Sequence, residues 1–253
     1  MRKLLISATC LLLSVTGMYA QRVLYMGDSV TDGGWGRSGG SAAASEQRNH
    51  SDLNHIYGHS YMMLCASHYE ASYPEKNLVF LNRGISGDDM DRLEARWEKD
   101  VIYNRPDVLS LLIGTNDVHY WLRDSKEPFA LDEWEQRYRR LLDRTRDVNP
   151  DVRFVLCTPF VAKVGSVGAA SDYALREKTI AEVDERVCRI AKDYDAVVLR
   201  FDSLFRDLQS SHPDVAMSHW IWDGIHPTAA GHKMMADLWI KESGKLLNVK
   251  GGR

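Results

Sequence analysis

The sequence predicts a three-layer α/β fold in which helices cover both faces of a parallel sheet of about five strands. Short apolar segments alternate along the chain with longer segments of helical spacing. This order implies parallel strands joined by right-handed crossovers. The short segments are apolar throughout and not at every second residue, which is typical of strands buried on both faces.

The individual elements follow from the spacing of apolar residues and from the residues that bound each segment. The predicted strands cover residues 22–26, 77–81, 108–113, 152–157 and 196–199. The predicted helices cover residues 55–69, 90–101, 131–148, 171–194 and 228–247. Pro106 precedes the third strand, and Asn149-Pro150 ends the third helix, as breakers do.

The composition is that of an ordinary globular protein. The chain has 253 residues, of which 44% are hydrophobic and 26% charged, and its formal net charge is -3. No run of Lys or Arg marks a nucleic-acid-binding face, so we expect no nucleic-acid partner. No linker rich in Pro, Gly or Ser divides the chain after its first residues, and we predict a single domain over residues 21–253.

The first twenty residues predict a secretory signal peptide. Arg2 and Lys3 give a positive start, residues 4–15 are mostly apolar, and Tyr19-Ala20 leads into a polar segment. This order favours export with cleavage after Ala20. The apolar stretch is shorter than the roughly 20 residues that span a membrane, so no stable membrane anchor is expected. The sequence leaves open whether the product is periplasmic or secreted.

Cysteines and histidines give no pattern of a disulfide scaffold or a metal site. After cleavage three cysteines remain, with no CxxC pair: Cys65, Cys157 and Cys188. We interpret them as small buried hydrophobic residues. His55 and His59 are four positions apart, but Ile56 stands where a metalloprotease would have a glutamate. We therefore predict no metal and no other cofactor.

Four short polar segments follow predicted strands or precede the last helix. They are Gly27-Asp28-Ser29, residues 82–88, residues 114–117 and residues 223–228. The carboxyl ends of parallel strands share one edge of the sheet, so these segments are expected to converge. Residues 33–45, rich in Gly, Ser and Ala, follow the first strand and form either an active-site loop or a mobile insertion.

The side chains in these segments have complementary chemistry. Ser29, at a strand-to-helix turn, can present its hydroxyl as a nucleophile once a base takes its proton. His226 can be that base, since histidine exchanges protons near neutral pH. Asp223 lies three positions before His226, close enough to accept the other imidazole N–H and fix the tautomer.

Acyl transfer also needs hydrogen-bond donors for the oxyanion of its tetrahedral intermediate. The candidates are the backbone N–H groups of Ser29 and Gly87 and the side-chain amide of Asn116. Gly87 suits this role because a residue without Cβ lets a substrate approach the backbone. Each segment alone is a common turn. The evidence for this chemistry is that all four segments occur in this order at strand ends or before the last helix.

The four segments resemble the four blocks of the GDSL/SGNH hydrolases, which are lipase- and esterase-like serine hydrolases with a flavodoxin-like, doubly wound fold. The resemblance extends from Gly27 to Thr228. It implies that Ser29 is the nucleophile, that Asp223 and His226 are the acid and base, and that Gly87 and Asn116 are oxyanion donors.

Two details qualify the match. Val30 replaces the leucine that gives the family its name, which is a conservative change. In the second block Gly87 fits better than Gly84, because Ile-Ser-Gly-Asp matches the family pattern. None of the predicted strands is followed directly by the Gly-x-Ser-x-Gly elbow of ordinary α/β-hydrolases, which disfavours that fold.

Other residues near the four segments have ordinary interpretations. Asp32 and Asp117 are expected to order their loops by hydrogen bonds to the backbone. Four tryptophans lie close to the segments: Trp35, Trp121, Trp220 and Trp222. Indole rings suit contact with sugar rings, although about half of these tryptophans are expected to belong to the core. We predict that Trp35 and Trp222 face the alcohol part of the substrate.

Together these observations predict an exported serine esterase that removes a short acyl group, with acetyl favoured, from a small-molecule or polysaccharide ester of a carbohydrate. One alternative is a lysophospholipase or thioesterase, which would need an apolar acyl channel. Others are a non-catalytic carbohydrate-binding protein of the same fold and an acetyltransferase acting on a sugar. The alcohol part, the acyl chain length and the oligomeric state remain open.

Overall fold

The computed structural model describes residues 20–37, 42–247 and 249 and is built on one parallel sheet. Its five strands are β1 (Arg22–Gly27), β2 (Val79–Gly84), β3 (Val108–Leu112), β4 (Arg153–Cys157) and β5 (Val197–Leu199). Their order is β2-β1-β3-β4-β5, and every neighbouring pair is parallel. This is the flavodoxin-like order, and it confirms the predicted fold class.

Helices cover both faces of the sheet. The described α-helices are α1 (Ser29–Asp32), α2 (Tyr61–Ser72), α3 (Met90–Trp97), α4 (Thr115–Asp124), α5 (Leu131–Val148), α6 (Gly165–Gly168), α7 (Tyr173–Asp193), α8 (Phe201–Ser211) and α9 (Ala229–Ser243). Helices α2, α8 and α9 pack on one face of the sheet, and α3, α5 and α7 pack on the other.

The strands are buried on both faces, as their apolar sequences predict. Along β1, Val23 and Tyr25 join the core beneath α2 and α9, while Leu24 and Met26 join the opposite core. This alternation follows from the two-residue period of a strand. Tyr25 packs against Trp239 of α9 with ring centroids 5.2 Å apart. Burial of each such large side chain contributes about 1.5–3 kcal/mol.

Several predicted boundaries differ from the structure, and local structure explains two of the differences. The helix expected from residue 55 begins at Tyr61, because the preceding residues form turns in which Gly58 adopts a φ of 71°. Strand β2 continues past residue 81 to Gly84. The polar Asn82 is tolerated in the buried strand because its amide donates to the carbonyls of Thr31 and Asp32 at 2.9 and 3.1 Å.

Helices α4 and α8 were not predicted, although the sequence contains their signal. In α4, Val118, Trp121 and Leu122 are three or four positions apart, and in α8 Phe201 and Phe205 show the same spacing. The polar residues at the start of α4 led to its interpretation as a loop. The correction matters because α4 carries Asn116.

The predicted signal peptide lies almost wholly outside the described residues, which begin at Ala20. Within the part of the chain that the structure describes, no helix is long and apolar enough to cross a membrane. Cys65 and Cys157 are buried, Cys188 is partly buried, and all three are free thiols.

Candidate active site

Ser29 lies at the carboxyl end of β1, where the chain turns directly into the short helix α1. Asp28 caps this helix, since its Oδ1 accepts the N–H of Val30 at 3.0 Å. The turn needs a glycine at position 27, because a Cβ there would lie 2.5 Å from the carbonyl oxygen of Leu112. As the first residue of α1, Ser29 has an N–H without a partner inside the helix.

Ser29, His226 and Asp223 form a hydrogen-bonded series. The Oγ of Ser29 lies 2.8 Å from Nε2 of His226, and Nδ1 of His226 lies 2.7 Å from Oδ2 of Asp223. A carboxylate beside Nδ1 selects the tautomer that carries its proton there. Nε2 is then free to accept the proton of Ser29, which is the arrangement that activates a serine hydroxyl.

The carboxylate of Asp223 is held in its ionised form. Burial alone would raise the pKa of Asp223, but the backbone N–H groups of His226 and Ile225 and the imidazole outweigh it and lower the pKa. Both N–H groups donate to Oδ1, at 2.8 and 2.9 Å. The same bonds fix the loop, because the side chain of Asp223 closes a turn on its own backbone.

A second loop, residues 162–168, packs against the turn formed by Asp223 to His226. The N–H of Ala162 donates to the carbonyl of Gly224 at 2.9 Å, and the N–H of Val167 donates to the carbonyl of Asp223 at 3.1 Å. Contact is so close at Gly165 that a Cβ there would lie 2.5 Å from Cα of Asp223. Asp223 and His226 therefore lie on a turn that this second loop holds in place.

Gly87 lies in the loop after β2, and Asn116 lies in the first turn of α4. Gly87 has a φ of 86°, and its carbonyl accepts the hydroxyl of Tyr120 at 2.9 Å. The side-chain amide of Asn116 donates one hydrogen to the carbonyl of Asp88 at 2.9 Å. Because an amide carries two hydrogens, Asn116 retains a second one for a substrate oxygen.

Asp32 and Asp117 hydrogen-bond to neighbouring segments and not to the imidazole of His226. Asp32 forms a fully buried ion pair with Arg48, at 2.5 and 3.0 Å, and accepts the N–H and hydroxyl of Ser86. Asp117 accepts the N–H of Met90 and the indole N–H of Trp134, at 2.9 and 3.0 Å. Burial raises the pKa of Asp117 to about 7.

The prediction for Trp35 is wrong. Its side chain is fully buried, its indole N–H donates to the carbonyl of Gly84 at 2.8 Å, and its ring lies between the guanidinium groups of Arg48 and Arg83. A sugar ring cannot reach it. The residue instead connects the loop after α1 to the end of β2.

Trp222, in contrast, is at the surface beside His226. Its side chain is 62% exposed, and its ring stacks on that of His226 with centroids 6.4 Å apart. Of the remaining two tryptophans near the polar segments, Trp220 is buried and Trp121 is half-buried against Phe129.

A cavity of about 450 Å³ opens beside Ser29 and His226. Its lining residues are Ser29, His59, Ser86, Trp222, His226, Pro227, Ala229 and His232. The sequence motifs do not single out Ser86 or His232 as site residues, and they indicate His59 only in a possible metal site. His55 does not join His59 in this cavity and lies instead 3.1 Å from Asp52.

The comparisons with known proteins identify the class. The sequence matches the model of the GDSL-like Lipase/Acylhydrolase family over residues 25–234, so the chain belongs to that family. It is a carboxylic-ester hydrolase. Acetylxylan esterase from Geobacillus stearothermophilus is 30% identical over 227 residues, which cover 88% of this chain and 94% of that enzyme.

Solved structures show the same likeness. The structure of the Geobacillus stearothermophilus esterase superposes with a TM-score of 0.71 at 28% identity, covering 91% of this chain and 97% of that one. A protein from Parabacteroides merdae, described as a GDSL-like lipase, has a TM-score of 0.73 at 28% identity and covers 91% of this chain and 99% of its own.

Three further structures are catalytic mutants of the Geobacillus stearothermophilus esterase. They replace a serine, an aspartate and a histidine with alanine. That aspartate and histidine are three positions apart in their chain. Asp223 and His226 have the same spacing here.

Proposed function

We propose that this chain is an exported esterase that removes acetyl groups from the hydroxyls of a carbohydrate, with Ser29 as the nucleophile and Asp223 and His226 as its acid and base. The observation that carries the proposal is the hydrogen-bonded series itself. Ser29 Oγ and His226 Nε2 are 2.8 Å apart at the wall of an open cavity. The likeness to an acetylxylan esterase supports the choice of acyl group and alcohol.

The reaction proceeds in two acyl-transfer steps. His226 takes the proton of Ser29 as its oxygen attacks the ester carbonyl, and Asp223 stabilises the imidazolium that forms. The N–H groups of Ser29 and Gly87 and the amide of Asn116 bind the oxyanion. His226 then protonates the departing alcohol, and water, activated by the same base, releases the acid from Ser29.

The cavity favours a short acyl group. Its described lining contains Pro227, Ala229 and the indole of Trp222 but no branched aliphatic side chain, and the rest of the wall is serine and histidine. A lysophospholipase or thioesterase would need an apolar channel at this place, because each methylene of a long acyl chain is stabilised only by an apolar wall. The lining therefore favours acetate over fatty acyl groups.

Acyl chain length gives the first test. We expect kcat/KM to be higher for p-nitrophenyl acetate than for the octanoate. In an apolar channel each added methylene would contribute about 0.8 kcal/mol, whereas here longer chains only lose entropy. The series from acetate to palmitate should be measured beside acetylated xylan, acetylated pectin and acetylated sialic acid. A preference for octanoate or longer esters would reject this proposal in favour of the lipase-like alternative.

Trp222 is the proposed platform for the sugar ring. Trp222→Ala should lower kcat/KM for an acetylated saccharide by about fivefold to tenfold more than for ethyl acetate, which has no ring, as expected for loss of one aromatic contact of about 1–1.5 kcal/mol. Tyr103→Ala is a matched control, because Tyr103 is 73% exposed but precedes β3 at the opposite edge of the sheet. Equal losses on both esters would remove Trp222 from saccharide binding.

Export rests on the sequence of the first twenty residues. Their positive start and short apolar stretch have the form of a cleavable leader. A polysaccharide substrate outside the cytoplasm fits this destination.

Acetyl transfer to a second sugar hydroxyl uses the same acyl-enzyme and would be recognised by a transacetylated product beside free acetate.

A further inference from the structure

His232 lies in the first turns of α9 and lines the cavity together with Ser29 and His226. The acid–base series does not use it. Its Nδ1 accepts the backbone N–H of Tyr61 at 3.1 Å, where α2 begins. The ring is therefore held between two helices at the wall of the site.

The bond to Tyr61 determines which nitrogen of His232 carries the proton. A ring nitrogen that accepts an N–H is itself unprotonated, so the neutral ring has its hydrogen on Nε2. Burial, and then the neighbouring His59 and His226, lower the pKa of His232 to about 4. At neutral pH the side chain is thus an uncharged imidazole with one fixed N–H donor.

The geometry points to His232 as the residue that recognises the alcohol part of the ester: its Nε2–H donates to the oxygen of a hydroxyl adjacent to the acylated one. This assignment rests on the proposed function, in which the alcohol is a saccharide. The substrate class it specifies is an ester of a vicinal diol, with the ring on Trp222 and the free hydroxyl at His232.

Two features of the cavity support this recognition. An uncharged donor matches an uncharged hydroxyl oxygen, whereas a carboxylate or phosphate would be better matched by a cation. His59 and His226 are the polar neighbours of His232 in the lining, whereas Pro227 and Ala229 offer no competing polar group from their side chains. An alcohol without the hydroxyl would leave the donor unpaired, and sites of this type discriminate strongly against such analogues.

A pair of small esters isolates the hydroxyl. trans-2-Acetoxycyclohexanol and cyclohexyl acetate share the ring and the acetyl group and differ only in the adjacent hydroxyl. We expect the wild-type enzyme to prefer the hydroxylated ester in kcat/KM by about tenfold, equivalent to about 1.4 kcal/mol. Because the measure is a ratio within one preparation, a general loss of activity or of folded protein cancels.

Two substitutions separate the roles of the two ring nitrogens. The amide of asparagine occupies the place of Nδ1, so His232→Asn can keep the bond to Tyr61 but loses the donor at Nε2. The longer glutamine places its amide near Nε2, so His232→Gln keeps a donor toward the cavity. We expect the preference to fall to within about twofold of unity in His232→Asn and to persist in His232→Gln, following the donor.

His68→Gln is the matched control, because His68 is an exposed histidine on α2 and should retain the wild-type ratio. A purely structural role through Tyr61 predicts the reverse order of the two variants and would overturn the assignment. Absence of a preference in the wild type would also overturn it. A wild type that prefers the hydroxylated ester but releases no acetate from acetylated saccharides would contradict only the proposed saccharide substrate.

Discussion

Replacing Ser29 with alanine should lower kcat by at least about a thousandfold, the scale of losing the nucleophile of a serine triad. The hydroxyl of Ser29 contacts His226 at 2.8 Å, and without it no oxygen lies next to the base to attack the ester. The melting temperature should change little, because this contact is on the cavity wall and not in the core. Steady-state kinetics on p-nitrophenyl acetate and thermal unfolding measure the two effects.

Ser86 provides the comparison for this experiment. It lines the same cavity, but its hydroxyl donates to Asp32 at 2.9 Å and not to the imidazole. Ser86→Ala should therefore retain far more activity than Ser29→Ala. If Ser29→Ala keeps more than a tenth of the wild-type kcat, Ser29 is not the nucleophile.

Replacing Asn116 with alanine should lower kcat by roughly a hundredfold to a thousandfold, as expected for one oxyanion donor. The amide is fixed by its bond to the carbonyl of Asp88 at 2.9 Å, so its second hydrogen has a defined direction. KM should change little, since the bond strengthens as negative charge develops on the carbonyl oxygen.

The isosteric Asn116→Asp variant distinguishes an electrostatic role from a packing role. It keeps the shape of the side chain but replaces a donor with a negative charge, so it should be at least as inactive as Asn116→Ala at neutral pH. A pure KM effect in Asn116→Ala would place the side chain in substrate binding. An active Asn116→Asp would contradict its role as an oxyanion donor.

The fold was predictable because short apolar strands alternate along the chain with segments of helical spacing. In such a fold the polar segments that follow the strands share one edge of the sheet. Polar segments follow β1, β2 and β3, and the topology alone implies that Ser29, Gly87 and Asn116 lie near one another. The sequence does not predict helix α4, because the polar residues around Asn116 at its start are also typical of a loop.

The surroundings of the site were less predictable than its centre. Trp35 and Trp222 both lie within six positions of a polar segment in sequence, yet Trp35 is fully buried and Trp222 is 62% exposed. The difference depends on where the carbonyl of Gly84 and the side chain of Arg48 lie, which is tertiary information. His232 has no motif of its own, and only its contact with Tyr61 separates it from other helical histidines.

If Ser29 attacks the ester of a saccharide, a covalent reagent for the attacking oxygen should label Ser29. The attacking oxygen displaces p-nitrophenolate from a p-nitrophenyl methylphosphonate ester, and the phosphonyl group that stays bonded to this oxygen mimics the tetrahedral intermediate. The account predicts that inactivation is accompanied by one adduct on the peptide containing Ser29, and that an acetylated xylo-oligosaccharide slows both. Complete inactivation with Ser29 unmodified, or with the adduct on another residue, would contradict it.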